Sequence, residues 1–172
     1  MNTFNNSNLL FSKKDYDKIY GHLDRPVIIA DHLRNADNMG ALIRLADNIG
    51  ALSLWFMGES KSVNQSKLRR AAASSFNNMP WAFTQEPLIS KLIPEGYVPV
   101  ALETSPNATN LYQTELPQKC ALIIGSEQYG TSDELINQAK IQVYIPIPGS
   151  TKSLNVSHAA AIFLFEWLRR QL

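Results

Sequence analysis

Cysteine is almost missing from this sequence: Cys120 is the one thiol among 172 residues. A lone cysteine excludes an internal disulfide framework and a thiolate zinc site, and it fits a reducing cytoplasm. It stands in QKCALIIG at the start of an apolar run, where core filling is its expected role. A surplus of charge is missing as well, because 16 Lys and Arg face 15 Asp and Glu for a net charge of +1. Free nucleic-acid binders usually carry a basic excess, so any such contact has to come from local clusters. No apolar run reaches the roughly 18 to 20 residues that span a bilayer, so no membrane partner is expected. The opening MNTFNNSNLLFSKKDYDK puts its lysines after a short apolar patch, the reverse of a secretory leader. His22, His32 and His158 have no metal-ligand spacing, and no metal is expected. There is no G-x-S-x-G elbow, no G-x-x-x-x-G-K-S/T phosphate loop and no G-x-G-x-x-G fingerprint.

What is present is an apolar fraction of 45% beside 18% charged residues, enough for one globular domain over 1–172. Short β-branched or aromatic runs alternate with helical patterns. RPVIIA (25–30) reads as a strand, and NMGALIRLADNIG (38–50) as a helix whose Met39, Leu42, Ile43, Ala46 and Ile49 share one face, stopped by Gly50. LSLWFMG, WAFT, YVPVALE, CALIIG and IQVYIPI supply further strands, with Pro99 suggesting an edge or a bend in the fourth. QSKLRRAAASS, PLISKLI and SDELINQA read as helices, the last capped by Ser132. VSHAAAIFLFEWL closes the chain as a helix apolar almost all round. Residues 1–24 read as an N-terminal helical extension. The alternation predicts an α/β fold with a mostly parallel sheet and helices on both faces.

In such sheets ligands gather beyond the C-terminal strand ends. Three loops expected there carry unusual polar content. RNADNMGALIR follows the first strand, with Asn38 and Gly40 ahead of an Arg44 that could clamp a phosphate through its planar fork. GSEQYG holds Gly125 and Gly130 around Glu127. In PGSTKSLNVS, Gly149, Ser150, Thr151, Lys152, Ser153 and Asn155 crowd one helix start. One cap needs one residue, and the surplus suits an anionic ligand on free N–H groups. Two basic clusters, Lys67, Arg69 and Arg70 in KLRR and Arg169 with Arg170, fit either an RNA contact or a solvated helix face.

Taken together, NMGALIRLA (38–46), GSEQYG (125–130) and IPIPGSTKSLNVS (145–157) resemble the three signature motifs of the SpoU (TrmH-like) family of RNA 2'-O-ribose methyltransferases in the SPOUT superfamily. They stand in the family's order across residues 25–170. The resemblance implies a C-terminal trefoil knot, S-adenosylmethionine bound in a bent form by the knotted loops, and a homodimer whose chains share each active site. It assigns cofactor contacts to Leu102, Glu103, Gly125, Ile145, Ile147 and Leu154. Catalytic and substrate roles fall to Asn38, Arg44, Glu127, Ser153 and Asn155. RNA contacts are expected, from the local basic cluster and not from the resemblance, at Lys67, Arg69 and Arg70. The substrate that the resemblance implies is transfer or ribosomal RNA, and the small size of the chain leans slightly to transfer RNA. The alternative is a catalytically inactive, RNA-binding relative that keeps the fold. His158, where relatives commonly carry an apolar residue, is either a rival proton acceptor or a packed histidine at the subunit contact.

Overall fold

The computed structural model describes residues 20–126 and 128–172. Most of the expected 1–24 extension and Glu127 therefore lie outside the described residues. Among the described residues seven strands form one sheet in the order β3-β2-β1-β6-β4-β7-β5, every pairing parallel. They are β1 (Val27–Ala30), β2 (Ser53–Met57), β3 (Trp81–Thr84), β4 (Val98–Leu102), β5 (Thr109–Asn110), β6 (Cys120–Ile124) and β7 (Ile141–Tyr144).

β1 and β6 run side by side at the middle, with every residue of both at most 2% exposed. Their unbroken apolar runs are what a strand covered on both faces requires. Ile28, Ala30, Leu122 and Ile124 face one cluster, and Val27, Ile29, Ala121 and Ile123 face the other. Cys120 belongs to the first cluster and is fully buried, which pushes its thiol pKa up.

On the first face lie α1 (Ala36–Asn48) and the long α5 (Val156–Gln171), which contribute Leu42, Ile43 and Ala46, and Phe163, Leu164 and Trp167. Asn35 caps α1 by accepting from the N–H groups of Asp37 and Asn38 at 2.9 and 3.3 Å, so the helix starts at Ala36, two residues before the expected start at Asn38. Gly50, at φ +66°, releases the chain from it. Against α1 packs α2 (Gln65–Ala72), capped by Asn64, followed by α3 (Ser75–Asn78). The crossing is close because Gly40 has no side chain: a Cβ there would stand 2.4 Å from the Ala71 Cβ and 2.8 Å from the Leu68 carbonyl oxygen. Gly40→Ala is expected to destabilise the fold by about 1–3 kcal/mol, the usual cost of overpacking, as read by urea unfolding.

The second face is covered more thinly than the sequence suggests. PLISKLI forms only a 3₁₀ turn at Ile89–Lys91, and SDELINQA only the single turn α4 (Asp133–Ile136). Ile89 and Leu135 seal that face. The Ser132 side chain makes no cap hydrogen bond. Its backbone N–H donates instead to the buried carboxylate of Asp31, at 2.7 Å, tying this loop to the end of β1.

Pro99 does not mark an edge, since β4 lies between β6 and β7. It is tolerated because the β4–β7 ladder begins one residue later, at Val100 opposite Ile141. β5, two residues without apolar alternation, gives no sequence signal and was not expected. α5 buries one stripe, Val156, Ala160, Phe163, Leu164 and Trp167, and leaves Phe165 51% exposed.

Arg170 is taken up by the fold. Its guanidinium donates to the carbonyls of Thr114 and Leu111 and pairs with Glu166 at 2.6 Å, while Trp167 Nε1 donates to the Pro117 carbonyl at 2.9 Å. These contacts hold segment 111–117 against α5. Arg169 also bonds Glu166, at 2.8 Å, and hydrogen bonds from Arg169 and Arg170 lower the Glu166 pKa from 4.5 to about 2. Arg169 is 70% exposed, so solvent screens much of its share. A depressed carboxylate stabilises the fold above its unfolded pKa, and that contribution drains as pH falls towards 2. Glu166→Gln should therefore lose stability at pH 7 but show a flatter decline between about pH 4.5 and 2, as measured by urea unfolding across that range. Among the described residues no helix is long and apolar enough to cross a membrane.

Candidate active site at the C-terminal rim of the sheet

Because all pairings are parallel, every strand delivers its following loop to the same rim. There the segments after β4, β6 and β7 and the start of α5 enclose a cleft of about 500 Å³. Leu102, Glu103, Gly125, Ile145, Ile147 and Leu154 all line it, as do Ser153 and Asn155. Three loops separated widely in sequence thus meet at one cavity.

Each wall has a local cause. Ser126 and Gly130 exchange backbone hydrogen bonds at 2.9 and 3.0 Å, closing the loop after β6 on itself. A Cβ on Gly125 would lie 2.1 Å from the Gly130 carbonyl carbon and the Thr131 nitrogen, so the turn is built on bare backbone. Glu103 braces it from β4. One carboxylate oxygen accepts from Thr131 N–H and the other from Thr104 N–H, both at 2.8 Å. Gly130 sits against that carboxylate at φ +70°, a conformation that favours glycine. On the opposite wall Lys152 donates to the Ile147 carbonyl at 3.1 Å and cinches the loop after β7.

Asn155 joins the first and third motifs. As the cap of α5, its Oδ1 accepts from the Ser157 N–H and hydroxyl at 2.9 and 2.7 Å. Its Nδ2 donates to Asn38 Oδ1 at 2.9 Å, across 117 positions of chain. Asn155 thus caps α5, and Ser153 stays exposed in the cleft wall.

Other expected site residues do not line the cleft. Asn38 is joined to the cleft wall by its hydrogen bond from Asn155, and Arg44, six residues further along α1, is exposed without a hydrogen-bond or ion-pair partner among the described residues. Lys67, Arg69 and Arg70 are exposed on α2, packed beside α1, with the Arg69 guanidinium 4.3 Å above the Phe76 ring. His158 is exposed on α5 and outside the cleft lining. Sequence reasoning missed Ser126, Thr104 and Tyr144 in the walls, and Asp31 beneath them, because single polar residues at strand ends carry no pattern. Among the described residues no group of His, Cys, Asp and Glu could hold a metal ion.

Residues 25–165 match the SpoU rRNA Methylase family. The chain belongs to that family. This SpoU chain is 27% identical over 153 residues to a tRNA (guanosine(18)-2'-O)-methyltransferase of Aquifex aeolicus, covering 84% of itself and 69% of the relative. It is 28% identical over 142 residues to the 23S rRNA (guanosine(2553)-2'-O)-methyltransferase RlmP of Bacillus subtilis, covering 82% of itself and 57% of the relative. Its fold is similar to that of the SpoU methyltransferase AviRb from Streptomyces viridochromogenes, solved with AdoMet, at a TM-score of 0.78 and 26% identity over 90% of this chain and 61% of that one. A mouse tRNA (guanosine(18)-2'-O)-methyltransferase, TARBP1, matches 90% of the SpoU chain at 26% identity, but the chain spans only 10% of that relative's length.

Proposed function

We propose that this SpoU-family chain is an S-adenosylmethionine-dependent 2'-O-ribose methyltransferase acting on transfer or ribosomal RNA. The observation that carries the reading is the Asn155–Asn38 hydrogen bond, which draws the first and third motifs together beside a cleft of cofactor size. The cleft suits the cofactor by its chemistry. Its volume falls within the range of small-molecule sites, Leu102, Ile145, Ile147 and Leu154 offer apolar walls for a base, and the loop backbones offer polar groups. When bound, S-adenosylmethionine supplies an electrophilic methyl group on a sulfonium.

The remaining work belongs to the chain's own side chains. Reacting atoms have to stand roughly 3 to 3.5 Å apart in line, so positioning carries much of the rate. A guanidinium offers donors and no acceptor, so Arg44 is not the proton acceptor. Its role here is to grip a phosphate of the RNA and hydrogen-bond the ribose oxygen as its proton leaves to phosphate or water. Asn38 and Asn155 orient α1 and the loop before α5, Ser153 presents its hydroxyl at the cleft wall, and Glu127 completes the set. Lys67, Arg69 and Arg70 extend the cationic path along α2, beside α1. With the net charge near neutral, such a local path is where RNA contact has to form.

Two further elements accompany this reading. The segment between the neighbouring strands β4 and β6 travels out to β5, beyond β7, and comes back. Passage of β7 and α5 through that loop is the threading that a trefoil knot requires, and the Arg170 and Trp167 contacts would hold the loop closed behind it. The exposed Phe165 on α5 suits the subunit contact of a homodimer, in the cytoplasm where the RNA is found.

The test is transfer of labelled methyl from S-adenosylmethionine to total RNA, followed by nuclease digestion and nucleoside mass analysis. Label on ribose 2'-oxygens is the expected result. Label on bases, or none on any RNA, overturns the reading.

A further inference from the structure

On the far side of the loop after β6, a second hollow of about 220 Å³ is lined by Arg34, Asn35, Ser126, Gln128 and Tyr129. It adjoins the cleft, because Ser126 lines both. We infer that this hollow is a nucleobase subsite, in which an unstacked base of the RNA lies against the Tyr129 ring while Arg34 meets the adjoining phosphate. The inference rests on the reading of the chain as an RNA methyltransferase and adds where the RNA's base is held.

Several observations converge on it. Tyr129 is 73% exposed, the largest exposure of any large apolar or aromatic residue among the described residues, so this ring adds nothing to the core. Its hydroxyl has no hydrogen-bond partner there either. Yet its backbone is fixed: Tyr129 N–H donates to Ser126 Oγ at 3.1 Å inside the closed Ser126–Gly130 turn. An exposed aromatic on a pinned turn loses little freedom when a base stacks on it. Arg34 is exposed and has no hydrogen-bond or ion-pair partner among the described residues, which leaves its planar fork available for a phosphate. Asn35 is already engaged in capping α1, so the hollow offers no vacant helix end to a free anion. The placement also fits the chemistry. Asn35 opens the helix whose Asn38 bonds Asn155 at the cleft, so a base held here leaves its ribose close to that junction. Single-stranded RNA is commonly recognised by stacking splayed bases on aromatic rings, with basic side chains on the backbone.

The test uses the full chain and a fluorescein-labelled single-stranded RNA oligonucleotide of mixed sequence, followed by anisotropy. Tyr129→Ala should weaken binding about tenfold or more, the range for losing one stacked base, and Arg34→Ala should weaken it and flatten its salt dependence. Tyr129→Phe, which keeps the ring, should bind within about twofold of the unaltered chain. S-adenosylmethionine affinity, measured by calorimetry, should be unchanged in all three, which separates a lost base contact from a disturbed cleft. Unaltered RNA binding by Tyr129→Ala overturns the inference, as does failure of the unaltered chain to bind the oligonucleotide. Methyl transfer to total RNA, run in parallel, keeps the two readings apart. Tyr129-dependent binding without transfer sinks the enzyme reading and leaves the subsite standing. Transfer whose KM for RNA ignores Tyr129 does the reverse.

Discussion

Arg44→Ala is expected to lower methyl transfer about a hundredfold or more while leaving the chain folded and S-adenosylmethionine affinity within about twofold. The separation follows from where the side chain sits. Arg44 is exposed, has no partner among the described residues and does not line the cleft, so its removal deprives neither the core nor the cofactor walls of a contact. Surface substitutions of that kind usually shift stability by no more than about 0.5 kcal/mol. A guanidinium that engages the ribose oxygen and its phosphate during transfer loses its effect on the rate instead. Arg44→Lys should recover little, because an ammonium lacks the planar fork. Single-turnover transfer with saturating cofactor is the measurement, and near-normal turnover by Arg44→Ala removes the residue from the mechanism.

Gly125→Ala should damage the cleft from the opposite direction. The added methyl would stand 2.1 Å from two backbone atoms, which cannot rotate aside as a side chain could. The loop has to open, breaking the Ser126–Gly130 exchange and drawing Thr131 away from Glu103. An overpacking cost near the upper end of the usual range, about 3 kcal/mol, and a loss of cofactor affinity of tenfold or more are expected. Gly149→Ala is the matched control, since a Cβ there meets nothing within 4 Å. Calorimetric titration with S-adenosylmethionine distinguishes the two, and equal affinities would show that the tight turn is not what shapes the cleft.

The two glycines also show how far a sequence can be read. Both belong to polar loops beyond the strand ends, yet one is sterically obligatory and the other free, and only the neighbouring backbone tells them apart. The same holds for the basic clusters. Arg169 and Arg170 looked equivalent to Lys67, Arg69 and Arg70 as routes for RNA, but Arg170 and Glu166 are engaged in clamping α5 to segment 111–117. Pro99 suggested an edge because a missing N–H usually excludes an interior strand, and the late start of the β7 ladder removes the conflict. Short helices failed for a related reason: PLISKLI and SDELINQA have helical composition, but the second face of the sheet leaves each only one turn to cover it.

Composition and periodicity alone determined that this is an α/β domain with a buried parallel sheet, because apolar spacing of two or of three to four commits a segment locally. The resemblance carried by the three motifs, and not spacing by itself, pointed to Leu102, Glu103, Gly125, Ile145, Ile147 and Leu154, which line one cleft. Tertiary structure alone decided the strand order, the insertion of β7 between β4 and β5, the meeting of Asn38 with Asn155, and which polar residues are bound into the fold. Those are contacts between distant parts of the chain, and a hydrogen bond across 117 positions leaves no periodic trace in either segment that makes it.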